Sequence, residues 1–203
     1  MSNGQSLRAG IALLALVAAA AGCSTKVERL DESQAVDLSG AWNDTDSRLV
    51  SQEMIQDSLS RAWLQEFRGR PGQNRPAVIV GEVRNMSHEH INTQTFTLEM
   101  ERALINSGKV DFVAGKQERL GVRDERKDQD LNARADTRNA MGRELGADFM
   151  LTGTINTIVD PSGDTQVRFY QVNMTLISLA DNRKVWVGQK DIRKLVTRSK
   201  LRF

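Results

Sequence analysis

The chain contains a single cysteine, Cys23, which limits both how the protein can be stabilised and where its folded part can begin. Because there is no second cysteine, no intramolecular disulfide can form, and the fold must be held by packing and hydrogen bonds. Before Cys23 lie Arg8, an apolar stretch over residues 9–17 and small residues over 18–22. This order of a cationic start, a short apolar segment and small residues predicts a secretory signal peptide over residues 1–22.

The position of Cys23 directly after Gly22 is typical of a bacterial lipobox, in which the cysteine is lipidated and becomes the first residue of the mature protein. An ordinary cleaved signal with an unrelated cysteine is the alternative. The apolar stretch is shorter than the roughly 20 residues of a membrane-spanning helix. Ser24 stands where lipoproteins retained in the inner membrane of enteric-type bacteria have Asp. We therefore expect an outer-membrane anchor of three acyl chains, such as palmitate, with the domain in the periplasm.

Composition limits the classes of partner. The chain has 28 Lys and Arg against 26 Asp and Glu, and the predicted signal removes only Arg8, so the mature protein is nearly neutral. A chain without a strong positive field is not expected to bind nucleic acid. About 180 mature residues favour one domain, which we expect over residues 46–203. Residues 23–45 predict a lipidated N-terminus and a flexible tether, with an extended length of at most about 75 Å.

Apolar periodicity predicts the elements of this domain. A helix capped by Thr45 or Asp46 is expected to run to about Phe67, with Ile55, Leu59, Ala62 and Trp63 on one face. A strand buried on both faces follows over 77–83. A second helix buries Phe96, Met100, Ala103 and Leu104 and stops at Gly108, before a short strand over 110–113.

The second half of the chain predicts a different arrangement. A charged segment over 116–138 precedes a helix over 137–145, and three strands follow over 149–159, 166–179 and from 185 onward. Along the strand over 166–179, the apolar residues move from one side of the strand to the other near residue 169. This change indicates either a bulge or a change in burial. Tight turns join these strands into an antiparallel meander. The predicted fold class is mixed α+β, with a mixed sheet flanked by helices.

No set of residues with the spacing of a catalytic site is found. The nucleophile elbow, the phosphate-binding loops and a Ser-x-x-Lys motif are absent. His88 and His90 point to one side of an extended segment while Glu89 points away, so a two-histidine metal site is the alternative to two solvated side chains. We predict no catalytic residue, no cofactor and no metal ligand.

Charged and aromatic residues leave several alternatives open. The mixed charges over 123–130 indicate a solvated helix or loop, or else the rim of a partner-binding surface. The basic residues of the C-terminal tail indicate either a guarded edge strand or contact with an anionic lipid, glycan or protein; they are Lys190, Arg193, Lys194, Arg198, Lys200 and Arg202. Trp63 and Trp186 are predicted in the core. Trp42 either packs on the domain, which we favour, or anchors a partner.

Seven segments, in order along nearly the whole mature chain, carry a family resemblance. They are Trp42-Asn43-Asp44-Thr45-Asp46-Ser47-Arg48, residues 76–85, residues 89–93, residues 105–110, residues 142–150, Phe169-Tyr170-Gln171-Val172 and Lys184-Val185-Trp186-Val187-Gly188. Together they resemble the penicillin-binding protein activator LpoB family. The resemblance implies a fold like the N-terminal domain of TolB and an outer-membrane lipoprotein.

The resemblance also implies a function. Such a protein binds a class A penicillin-binding protein, a peptidoglycan synthase, and activates it, thereby regulating cell-wall synthesis and cell shape without a catalytic group of its own. The best-known members have a long Pro-rich tether, whereas residues 24–45 here are few and contain no Pro. The alternative function is therefore a structural or assembly adaptor of the outer membrane, with a TolB-like or curli-secretion-like domain. The oligomeric state is left open.

Overall fold

The computed structural model describes residues 29–31, 37–139, 142 and 144–197. The elements run in the order α1 Asp44–Ser60, α2 Ala62–Arg68, β1 Ala77–Asn85, α3 Thr93–Asn106, β2 Asp111–Phe112, α4 Lys116–Asn132, β3 Phe149–Ser162, β4 Thr165–Ser178 and β5 Lys184–Thr197. The predicted mixed α+β class is confirmed.

The five strands form one mixed sheet in the order β2-β1-β3-β4-β5. β1 pairs in parallel with both β2 and β3. The pairs β3–β4 and β4–β5 are antiparallel and joined by tight turns, which confirms the predicted meander. Because β3, β4 and β5 are each 14 residues long, one end of the sheet extends well past the short β2.

One face of the sheet, which we call the inner face, carries the core. Tyr170, Val172, Met174 and Leu176 alternate along β4 and are almost completely buried. Helices α1 and α3 pack against this face and against each other, and they contribute the buried residues Val50, Met54, Phe96 and Met100. The predicted core positions Trp63 and Trp186 are buried, at 5% and 6% exposure.

Two predictions about the first helix are wrong in detail. The helix begins two or three residues earlier than expected, because Asn43 caps it and forms a reciprocal capping box with Asp46. It also ends at Ser60, because Arg61 adopts an extended conformation and α2 starts anew at Ala62. The break leaves the predicted core residue Ala62 exposed and lets the Trp63 indole donate to the Ser58 carbonyl, 2.7 Å away.

The helix predicted over 137–145 is not present among the described residues of that range, which are turn or irregular. A helix lies instead in the charged segment, as α4 over Lys116–Asn132. Side chains three or four residues apart hold it, such as Lys127 with Asp124 and Gln129 with Glu125. Helix α4 buries none of its residues, so apolar periodicity gave no signal for it.

The parity change near residue 169 is a change in burial and not a bulge. β3 and β4 pair without a shift through Phe169 and Tyr170. Tyr170 faces the core, while Phe169 lies on the opposite, outer face with the Arg193 guanidinium 5.4 Å from its ring centroid. The second predicted helix ends as expected, with Gly108 just past its C-cap at a φ of 61°.

Candidate functional site

Several predicted site residues lie outside the described residues. Cys23, the expected lipidation site, is one of them, and its acylation stays a prediction. Arg198, Lys200 and Arg202 of the basic tail also lie outside. No helix in the described part of the chain is long and apolar enough to span a bilayer.

The histidines lie in the loop between β1 and α3. His88 and His90 are both exposed, and Glu89 between them is turned toward the sheet. Among the described residues no group of three His, Cys, Asp or Glu side chains is placed to hold a metal ion. The Glu89 side chain is held by Arg168 and Tyr170 on β4, and nothing in its local sequence indicated these partners.

A short segment before α1, residues 37–42, lies across the inner face at the extended end of the sheet; we call it the strap. The Trp42 ring contacts the rings of Phe96 and Tyr170 edge-on, with centroids 6.0 and 5.6 Å away. The Trp42 backbone amide donates to Glu89 Oε2 at 3.3 Å, and its indole donates to Ser47 Oγ at 2.8 Å. The interpretation of Trp42 as packed on the domain is confirmed.

Gly40 brings the strap closest to the sheet. Its φ is +66°, and an added Cβ would lie 2.2 Å from Val196 Cγ2, so glycine is required here on both conformational and steric grounds. Its carbonyl oxygen lies 3.2 Å from the Tyr170 hydroxyl. The strap therefore packs tightly at Gly40, where an added side chain would meet the side chain of Val196 on β5.

Lys194 on β5 fixes the strap by charge. Its ammonium donates to Asp46 Oδ2 at 2.5 Å, to Asp37 Oδ2 at 2.9 Å and to the Ala41 carbonyl at 3.0 Å. These three acceptors match the three donors of an ammonium group. Lys194 and Asp46 are both only 10% exposed, so their attraction is weakly screened by solvent. Lys194 is thus a structural cation and is not available to an external anion.

Glu89 completes this polar cluster from the opposite side. Its carboxylate accepts from Arg168 Nη1 at 3.0 Å and lies 2.8 and 2.9 Å from the Tyr170 hydroxyl. Burial raises the pKa of the Tyr170 phenol well above its usual range, and the hydrogen bond to the Glu89 carboxylate acts in the same direction. The phenol therefore serves as a donor in the folded protein.

The other tail residues on β5 behave as expected for a guarded edge strand. β5 is the last strand of the sheet. Lys190 pairs with Glu53 on α1 at 2.6 Å, and Arg193 is exposed beside Phe169. Positive side chains along an edge discourage pairing with other chains. Of the described tail residues, Lys190 and Lys194 lie on the inner face and Arg193 lies on the outer face.

The charged segment forms an exposed arm. Arg123 and Arg126 on α4 both hold Glu144, with nitrogen–oxygen distances of 2.8 and 3.4 Å. The Arg123 guanidinium lowers the pKa of the Glu144 carboxyl, chiefly through its hydrogen bond. The solvated-helix interpretation of this segment is confirmed, and a role as a partner-binding rim stays a hypothesis.

The outer face of the sheet presents an exposed apolar patch at the same end as the strap. Ile158 and Leu195 are 63% and 71% exposed, and Val167 is 38% exposed. The register places Ile158 beside Phe169 and Val167 beside Leu195, so the four residues are neighbours on one face. Contiguous apolar surface of this kind marks interaction sites on folded proteins. We call these four residues the outer patch.

Comparisons with known proteins identify one family model and several solved structures similar to this chain. The family model for the peptidoglycan-synthase activator LpoB matches residues 46–192. Among solved structures, the LpoB C-terminal domain from Salmonella enterica is 15% identical, with a TM-score of 0.44, over 73% of this chain and 99% of that chain. The LpoB C-terminal domain from Escherichia coli is 18% identical, with a TM-score of 0.41, over 72% and 98%.

A third structure is more distant. Lipoprotein GNA1162 from Neisseria meningitidis is 16% identical, with a TM-score of 0.39, over 62% of this chain and 88% of that chain. A comparison with curated proteins finds no match. The family model covers the sheet and its helices from Asp46 on α1 to Ile192 on β5. The chain therefore belongs to the LpoB family of peptidoglycan-synthase activators.

Proposed function

We propose that this protein is an outer-membrane lipoprotein that binds a class A penicillin-binding protein in the periplasm and activates it, without contributing a catalytic group. The observation that supports the proposal is the family match over residues 46–192. The lipobox-like sequence ending at Cys23 supports the anchor, and the absence of a catalytic motif in the sequence supports a regulatory role.

Activation by a bound protein sets a thermodynamic requirement. The activator must bind the active conformation of the synthase more tightly than the inactive one, because a ligand shifts an equilibrium only by its differential affinity. A tenfold increase in the active fraction of a mostly inactive synthase requires about 1.4 kcal/mol of such difference. Contacts made by a patch of a few apolar side chains supply energies of that size.

The test is a binding and activity experiment. The full-length protein, extracted in mild detergent, is added to purified class A synthases from the same envelope, and binding, glycan polymerisation and peptide cross-linking are measured. We expect saturable binding and a several-fold faster polymerisation. No binding to any class A synthase would contradict the proposal, as would turnover of peptidoglycan by the protein alone.

The outer patch is the first surface to test in this experiment. Leu195→Asp places a carboxylate on the β5 side of the patch, beside Val167, and we expect it to weaken binding about tenfold, the effect of a modest interface hot spot. Leu131→Asp is the matched control, because Leu131 on α4 is 84% exposed and lies away from the patch. If both variants bind like the wild type, the synthase contact lies elsewhere on the domain.

A further inference from the structure

The strap, residues 37–42, lies between the predicted lipid anchor and the folded domain. The chain that connects Cys23 to the domain therefore runs through the strap. The strap is held by hydrogen bonds to the side chains of Lys194 and Glu89 and by packing against Tyr170, and not by pairing with a strand. Such a segment can detach without breaking the sheet.

The start of α1 is held by bonds that do not depend on the strap. The capping box of Asn43 and Asp46 lies after the strap and closes α1 independently. The bonds of Lys194 to Asp46 and of the Trp42 indole to Ser47 join groups at the start of α1. The strap therefore has its own set of bonds, which join Lys194 to Asp37 and to the Ala41 carbonyl, and the Trp42 amide to Glu89.

We propose that the strap is a releasable root of the tether, which fixes how far the anchored domain can reach. The proposal rests on the proposed function, since it requires an anchor at Cys23. With the strap docked, the chain between anchor and domain is residues 24–36, with a contour length of at most about 45 Å. Release of the strap adds about 20 Å.

The first arm of the test measures release directly. Gly40→Ala introduces a methyl group 2.2 Å from Val196 Cγ2 at a positive φ, so we expect it to oppose docking of the strap. Gly72→Ala is the matched control, because Gly72 also has a positive φ but nothing within 4 Å of an added Cβ. Amide hydrogen exchange is followed in the full-length protein in detergent.

We expect the Trp42 amide to exchange at least tenfold faster in Gly40→Ala and at the wild-type rate in Gly72→Ala, while the amides of β4 keep their protection in both. Equal protection of the Trp42 amide in wild type and Gly40→Ala would overturn the proposal. Loss of protection along β4 would overturn it as well, because the strap would then be an inseparable part of the core.

The second arm measures reach in cells. Deletion of residues 28–33 shortens the tether by as many residues as the strap contains, and we expect reduced stimulation of wall synthesis. Adding Gly40→Ala to the deletion should restore it. If Gly40→Ala speeds exchange of the Trp42 amide but does not restore stimulation in the shortened chain, release of the strap does not extend the reach of the domain, and the proposal is overturned.

A disulfide that holds the strap in its docked position tests the opposite case. The ideal Cβ of residue 40 lies 3.5 Å from Val196 Cβ, within the range of a disulfide. Gly40→Cys with Val196→Cys should hold the strap docked in the oxidising periplasm, so the shortened tether is not rescued until a reductant is added. If the full-length wild type fails to stimulate any synthase in detergent, the proposed function fails, while the exchange arm still decides whether the strap is releasable.

Discussion

Glu89 illustrates how a residue in a polar loop acquires its role from distant parts of the chain. It accepts hydrogen bonds from Arg168 and Tyr170, which are 79 and 81 residues further along. The alternation of the loop predicted that Glu89 points away from His88 and His90, and it does. The partners could not be predicted, because they depend on how far β4 extends past the core and on where the strap lies.

Tyr170 is the only tyrosine of the chain, so its ionisation can be observed directly. We predict that no phenolate absorbance at 295 nm develops near pH 10 in the folded protein, whereas in urea it develops near the ordinary pKa of about 10. The pKa of the Tyr170 phenol is higher in the folded protein than in the unfolded chain. The contribution of this phenol to the free energy of unfolding is therefore fully present below its unfolded pKa and is lost as the pH rises from there through its folded pKa. A native titration near pH 10 would contradict this placement of the phenol.

Gly153 on β3 is required by packing inside the sheet. An added Cβ would lie 2.2 Å from Met174 Sδ and 2.5 Å from the Asn173 backbone oxygen. We predict that Gly153→Ala lowers the free energy of unfolding by about 1–3 kcal/mol, measured in urea. Gly121→Ala on α4 is the control, since nothing lies within 4 Å of its added Cβ; we expect its stability to be unchanged or slightly raised.

At the scale of elements, strands and buried helices were predictable, while the exposed helix was not. β1 and α3 bury a periodic set of apolar residues, and their positions were predicted within a few residues. Helix α4 buries nothing, so its existence depends on charge pairs and on Glu118, which accepts from the Gly115 amide at 2.6 Å. Of the candidate site, the packing of Trp42 on the domain was predicted, while the strap as a whole was not. The strap lies within residues 23–45, whose composition predicted a flexible tether.

The boundary of the folded part is testable by truncation. A chain that begins at residue 46, where the family match begins, lacks the strap, Trp42 and the Asn43 cap. The missing cap alone costs about 1 kcal/mol, and exposure of Tyr170 and Phe96 adds to it. We predict that this chain is at least about 3 kcal/mol less stable than one beginning at residue 37.

Urea unfolding of the two truncated chains, followed by tryptophan fluorescence, measures this difference. The midpoint should be clearly lower for the chain beginning at residue 46, and its Tyr170 should titrate closer to its ordinary pKa. Equal midpoints would mean that the strap contributes nothing to the stability of the domain.

At the scale of the whole molecule, we expect Cys23 to anchor the protein and the folded domain to bind the synthase, as two separate functions. We predict that Cys23→Ser, which removes the proposed lipidation site, moves the protein out of the outer-membrane fraction. The same variant should keep its affinity for the synthase in solution, because Cys23 lies outside the family-matched domain. Stimulation of wall synthesis in cells should fall, since the local concentration at the membrane is lost.

Fractionation of cell envelopes and a binding assay with the purified variant check the two parts separately. Outer-membrane association that persists in Cys23→Ser would contradict lipidation at this residue. A weakened affinity in solution would show that the anchor region takes part in the synthase contact.

The contact between Gly40 and Val196 has a practical consequence for work with this protein. It places the entry of the chain into the domain beside the end of β5, so both ends of the folded part lie at one pole, together with the β3–β4 turn at Gly163. A fluorescent protein fused after β5 would therefore crowd the pole at which the strap enters the domain. A reporter inserted into the β4–β5 turn at residues 181–183 would sit at the opposite pole.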